Sequence, residues 1–279
     1  MPRLTLAAVA IQIVVLAGSA GAARAQDISP VPQLADETTT QPLSLGLDQV
    51  IKQPAPPQPT PVHTGFKAMF KELGEDVKYI PSRENAMWAG VGAVLALATH
   101  PADKHLNHVM VNSDFAKAFF KPGAYMGQSY TLLGASAIVY AVGRTKNEPK
   151  VSHVGMDLIR AVAISEGLTA AMKYSVRRER PDGSGRSSFP SGHAADTFAF
   201  ATALERHLGW RYFVPAYIGA SYVAISRLPA NRHWFSDVMM GSAVGIIAGR
   251  TVTGHEVNKY ALSLIPVRGG AAIGYQRAW

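Results

Sequence analysis

The chain has 279 residues and no cysteine, and its 27 basic and 19 acidic residues give a formal charge of +8. Without cysteine a disulfide framework is excluded, and an exported domain would have to rely on its core. The positive charge suits anionic headgroups or anionic substrates; no run of Lys and Arg is interleaved with aromatic residues, so nucleic acid is not expected as a partner.

From its start, the chain carries Arg3, an apolar run over residues 4–17, and Ala23-Arg24-Ala25. This pattern predicts a secretory signal peptide over residues 1–25, with the mature protein starting at Gln26. The run is short for an anchor, so cleavage is expected. About 250 residues remain, enough for one sizeable domain and a tail. Residues 26–65 are rich in Pro, Thr and Gln and read as a disordered linker. A helical domain is expected over 66–261 and a hairpin or tail over 262–279.

Phe66, Met69, Phe70, Leu73 and Val77 recur at helical spacing, opposite Lys67, Lys71, Glu72, Glu75 and Lys78. They predict an amphipathic helix that either docks on the domain or lies on a membrane surface. An apolar helix follows over 86–98. His100, Asp103, His105 and His108 then invite a metal hypothesis, but Pro101 breaks the spacing and no second cluster completes a ligand set. A surface loop is expected there, and no metal. Residues 123–143 read as one helical stretch. His153, His207 and His255 read as structural or exposed. Near the C-terminus, residues 263–267 and 271–275 flank Gly269-Gly270 and predict a short β-hairpin.

The polar chemistry lies between residues 173 and 237. A helix is predicted over 154–176, bounded by Pro181; if it persisted, Lys173 and Arg180, seven residues apart, would share a face. Arg offers a fork of donors matching a phosphate, and Lys offers a point charge. Next, Pro190-Ser191-Gly192-His193 precedes an apolar helix over 194–208. Ser191, Gly192 and His193 therefore sit at a helix N-terminus, where backbone N–H groups and the dipole favour an anion. Taken alone, Ser191 is equally readable as an N-cap. Ser226 and Arg227 end an apolar segment over 212–225. His233 opens another helix, with Asp237 one turn on if both are helical. The carboxylate would then hold one imidazole nitrogen as N–H and leave the other basic.

The ordered set Lys173-x6-Arg180-Pro181, Pro190-Ser-Gly-His193 and Ser226-Arg227-x5-His233-x3-Asp237 resembles the signature of the type 2 phosphatidic acid phosphatase superfamily. That superfamily includes bacterial class A acid phosphatases, lipid phosphate phosphatases and vanadium-dependent haloperoxidases. The resemblance covers roughly residues 154–250 and implies an all-α bundle of about six core helices. It also implies a metal-independent phosphatase that needs no cofactor. Its substrates would be phosphate monoesters or pyrophosphates, either lipid-linked or small envelope compounds. By this resemblance His233 attacks phosphorus to form a phosphohistidine, and Asp237 orients His233. His193 protonates the leaving oxygen and then helps activate water. Lys173, Arg180 and Arg227, with Ser191 and the Gly192 amide, clamp the phosphate oxygens. Only eight residues separate Pro181 from Pro190, so a minimal substrate-reading loop is expected.

Two other readings stay open at the level of sequence. One is a vanadium-dependent haloperoxidase with His233 as the vanadate ligand. The other is a non-catalytic envelope interaction protein, against which the complete set of His193, His233 and Asp237 argues. Most apolar runs are nearer 12–15 residues than the about 20 of a span, and mean hydropathy is only +0.06. A periplasmic bundle with possible membrane-surface contact is therefore expected. The alternative is an integral membrane enzyme whose site faces the periplasm. Substrate identity and oligomeric state are not legible in the sequence.

Overall fold

The computed structural model describes residues 65–257, 260–267 and 270–277. The expected signal peptide, and the linker up to residue 64, lie outside them. In chain order the elements are α1 (Phe66–Tyr79), α2 (Arg83–Thr99), a 3-10 turn (His100–Ala102), α3 (Asp103–Val111), α4 (Asp114–Met126), α5 (Ser129–Thr145), α6 (Pro149–Val176), α7 (Gly192–Leu208), α8 (Trp210–Ser226) and α9 (Phe235–Val257). A C-terminal hairpin pairs β1 (Tyr260–Val267) with β2 (Gly270–Arg277), antiparallel, with Tyr260 opposite Arg277.

Local chemistry accounts for many of the ends. Ser82, Ser113 and Ser191 accept hydrogen bonds from the first-turn amides of α2, α4 and α7. Pro149 opens α6, where its missing N–H costs nothing. Arg177 stops α6 in the left-handed conformation, at φ 49°. Arg180 therefore leaves the helix and does not share its face with Lys173 through helical continuity.

Two sequence expectations change. The segment from His100 to His108 is helical, not a loop: Pro101 sits in the first positions of a short turn, where proline is tolerated. The stretch 123–143 is two helices, separated at Gly127. A Cβ at Gly127 would lie 2.2 Å from the Val223 side chain and 3.1 Å from the His193 ring. On α1, Phe66, Phe70 and Val77 are exposed. That helix docks through Leu73 and through Asp76, which is fully buried against Arg160.

Helix α9 is the centre of the bundle and packs on α7, α2 and α6; α7 also meets α6 and α8, and α5 lies on α6. These helices form the all-α bundle. Phe198, Tyr217, Phe235 and Val238 are among the residues that fill one part of its core, and Leu158, Ala161, Ala199 and Val252 another. Close approach of α9 to α7 depends on Gly241, Gly245 and Gly249. A Cβ at these positions would lie 2.5 Å from Ser191 O, 2.2 Å from Ala195 O and 2.6 Å from Thr202 Cβ. No described helix is long and apolar enough to cross a membrane.

Candidate active site

The three polar stretches meet where α6 ends and α7 and α9 begin. Lys173, in the last turn of α6, donates to the Pro190 carbonyl at 2.7 Å. Its Nζ lies 3.5 Å from where a Gly192 Cβ would stand, so the lysine sits against the N-terminus of α7. Ser191 is fully buried, caps α7, and donates its amide to the Asp237 carbonyl at 3.0 Å. That bond ties the second stretch to the third. Arg227 follows the end of α8 and is 8% exposed. Arg180 lies in the loop after α6, pinned by its amide to the Gly185 carbonyl at 2.9 Å. The Nε atoms of Arg180 and Arg227 are buried, and among the described residues neither has a hydrogen-bond acceptor.

His233 is 4% exposed and stands two residues before α9, not within it. Its Nδ1 lies 2.6 Å from the Ser188 carbonyl. A carbonyl only accepts, so Nδ1 carries the proton and Nε2 keeps the lone pair. The sequence reading assigned the orientation of this ring to Asp237. In the structure Asp237 Oδ2 is 3.9 Å from Nδ1, beyond hydrogen-bond range. Asp237 instead accepts from the Ser188 hydroxyl at 2.5 Å, the Trp234 amide at 2.8 Å and Arg178 Nη1 at 2.5 Å. Its link to His233 runs through Ser188, whose hydroxyl donates to Asp237 and whose carbonyl accepts from His233 Nδ1. His193 Nε2 is 3.2 Å from the Ala124 carbonyl, which by the same argument places the proton of this ring on Nε2.

Cations crowd this pocket. Burial, then the Lys173 and Arg227 charges, push the His233 pKa well below its usual value. Burial and Arg227 bring His193 down to about 4. Burial lowers Lys173 to about 8, and burial with Arg232 and Arg180 lowers Arg227 to about 10. An oxyanion placed among these groups relieves every one of these shifts, because each is driven by desolvated or mutually repelling positive charge.

Several residues escaped the sequence reading. Ser188 works largely through its backbone carbonyl, which no side-chain pattern reveals. Arg178 bridges Asp237 and Asp103, the latter at 2.7 Å, and Asp103 also accepts from the amide and hydroxyl of Ser236. Its only sequence signal was membership of a basic run. Asp103, considered above as a metal ligand, is thus committed to Arg178 and Ser236. His105 and His108 are exposed. Near Lys173 and His193, Asp196 faces Glu166; burial, then Glu166, raise the Asp196 pKa above the usual carboxylate range.

Residues 154–259 match the model of the PAP2 superfamily. That stretch, which holds all three polar motifs, is similar to the PAP2 superfamily. Over 91 residues it is 48% identical to the lipid A 1-phosphatase of Porphyromonas gingivalis, which covers 32% of this chain and 20% of that protein. It is 32% identical over 130 residues to the decaprenylphosphoryl-5-phosphoribose phosphatase of Mycobacterium tuberculosis, covering 43% of this chain and 66% of that one. The chain therefore spans less than two thirds of the length of these relatives. The crystal structure of a transmembrane PAP2 type phosphatidylglycerolphosphate phosphatase from Bacillus subtilis shares the PAP2 fold. The TM-score is 0.54 at 21% identity, covering 64% of this chain and 98% of that one.

Proposed function

We propose that this protein is a metal-independent phosphatase that hydrolyses lipid-linked phosphate through a phosphohistidine at His233. The observation that carries the reading is a buried neutral imidazole, lone pair on Nε2, among Lys173, Arg180 and Arg227, whose arginine Nε groups await an acceptor. In the first step His233 Nε2 bonds to phosphorus and the bond to the leaving oxygen breaks. His193, protonated as the incoming dianion offsets the cations around it, gives that oxygen its proton. In the second step His193 takes a proton from water, which attacks phosphorus and releases phosphate and His233. The cations, with Ser191 and the Gly192 amide, hold the non-bridging oxygens throughout; phosphoryl transfer depends chiefly on such positioning and charge neutralisation.

Two features support a lipid-linked substrate. The residues next to Ala124, which touches His193, are Tyr125 and Met126, both exposed, and Phe115 and Phe119 on the same helix are exposed as well. An apolar groove of about 490 Å³ runs between α2, α6 and α9, lined by Ala93, Leu97, Met172, Val176, Phe189 and Met240. Arg178, which donates to Asp237, also lines the groove, so a hydrocarbon chain held there lies on the Asp237 side of the site. The named relatives act on lipid A 1-phosphate and a decaprenyl-linked phosphate, which agrees with that class.

The test is release of inorganic phosphate from phosphatidic acid, an isoprenoid pyrophosphate and p-nitrophenyl phosphate, each with and without EDTA. The expected result is release that survives EDTA and is fastest with a lipid substrate. Loss of all release in EDTA, or none from any substrate, would contradict the reading.

A further inference from the structure

The reaction described above leaves one cluster at the other end of the bundle unused. His153 and Asp157 lie one turn apart on α6, and His207 comes from the last turn of α7. Sixteen positions of α6 separate Asp157 from Lys173, roughly 24 Å along the helix axis. Asp157 is fully buried, His153 is buried, and His207 is half-buried, giving a narrow path to solvent. Asp157 Oδ2 is 2.9 Å from His207 Nε2 and 3.6 Å from His153 Nε2. All three donor atoms lie within 4.8 Å of one another, and the two rings meet edge to face at 5.5 Å.

We propose that His153, Asp157 and His207 form a structural site for a divalent transition-metal ion of the zinc class. Zinc bonds of about 2.0–2.2 Å in a tetrahedron set neighbouring donors about 3.3–3.5 Å apart, so shifts below an ångström suffice here. Two imidazoles with one carboxylate select borderline ions over magnesium or calcium, which prefer all-oxygen shells. The other carboxylate oxygen of Asp157 is held by Arg160. Such an outer partner fixes the orientation of a ligating carboxylate. Arg160 is shared with Asp76 at 3.0 Å and Glu72 at 3.2 Å, so its charge is not committed to Asp157 alone. Through this chain of contacts the ion would fasten α1, α6 and α7 together. A water completes the shell. In a protein without cysteine, a metal is the remaining strong covalent-like staple.

The experiment uses the untagged mature protein, stripped with chelator and titrated with zinc. Calorimetry reads binding and thermal unfolding reads stability. The expected result is one zinc per chain and a rise in Tm of about 5–10 °C at a hundredfold excess over Kd. His207→Ala should weaken zinc binding more than about tenfold. His207→Cys, which supplies a thiolate, should restore it even if the alanine variant folds poorly. His105→Ala, at an exposed histidine elsewhere, should bind like wild type. Absence of saturable uptake by wild type, or equal affinity in wild type and His207→Ala, would overturn the proposal. The imidazoles would then be hydrogen-bond partners of Asp157 only. Phosphate release in EDTA is a separate readout, since the site lies far from His233.

Discussion

At the scale of single residues, Lys173 is the proposed clamp cation whose ionisation falls closest to neutral pH. Its pKa of about 8 is depressed by burial, and an ammonium grips phosphate only while protonated. The proposed clamp would therefore be complete below about pH 8 and lost above it. Since kcat/KM reports the free enzyme, it should fall about tenfold per pH unit on the alkaline side. Lys173→Arg should move that limb up to about pH 10, where Arg227 titrates, at some cost in maximal rate because the planar fork has a different shape. A pH–rate profile of the two proteins checks this; an unchanged alkaline limb would remove Lys173 from the clamp. At this scale the sequence was most informative: the chemistry-bearing side chains announce themselves by type and spacing. What it did not reveal was the holder of His233. Ser188 acts through its carbonyl, and main-chain acceptors leave no mark in residue identity.

At the scale of elements, the site is precise only because α9 can approach α7. Gly241, Gly245 and Gly249 remove the side chains that would keep these helices apart, and Ser191 can then hydrogen-bond to the Asp237 carbonyl. Gly245→Ala places a Cβ 2.2 Å from Ala195 O, a backbone atom that cannot swing away. The expected cost is about 1–3 kcal/mol or more, read as a lower midpoint in urea, with reduced kcat as the α7 N-terminus shifts. The groove makes a second prediction at this scale. Ala93 lines it yet is exposed, so Ala93→Trp should fill it without disturbing the core. That variant should lose about tenfold or more in kcat/KM on long-chain lipid phosphate and little on p-nitrophenyl phosphate. Equal loss on both would sever the groove from substrate recognition. Helix positions were largely readable from apolar periodicity and serine caps. The division at Gly127 and the helix over Asp103–Val111 were not, because both are set by tertiary packing that overrides local signals.

At the scale of the whole molecule, apolar side chains remain outside the core on several helices. Phe115 is 76% exposed and Leu97 74%, and Tyr130, Ile138 and Ile218 are also exposed. Together with the net charge of +8, these surfaces predict attachment to an anionic membrane surface. Co-sedimentation with vesicles containing anionic lipid should exceed that with neutral vesicles and fall with salt. Replacing Phe115 and Phe119 with Ser should weaken it severalfold; binding indifferent to both changes would argue against that surface. The sequence predicted apolar runs but could not say which faces stay uncovered, since that depends on which helix each run meets.

The proposed chemistry rests on the covalent intermediate on His233. It is tested most directly by mixing the purified protein with a substrate carrying labelled phosphate and quenching in alkali within the first turnover. The expected product is a phosphoprotein that is stable in alkali, labile in acid, maps to His233, and is absent from His233→Ala. That variant should also lose at least about a thousandfold in turnover while keeping its helical circular dichroism. No labelled protein under single-turnover conditions, or label retained in His233→Ala, would contradict it.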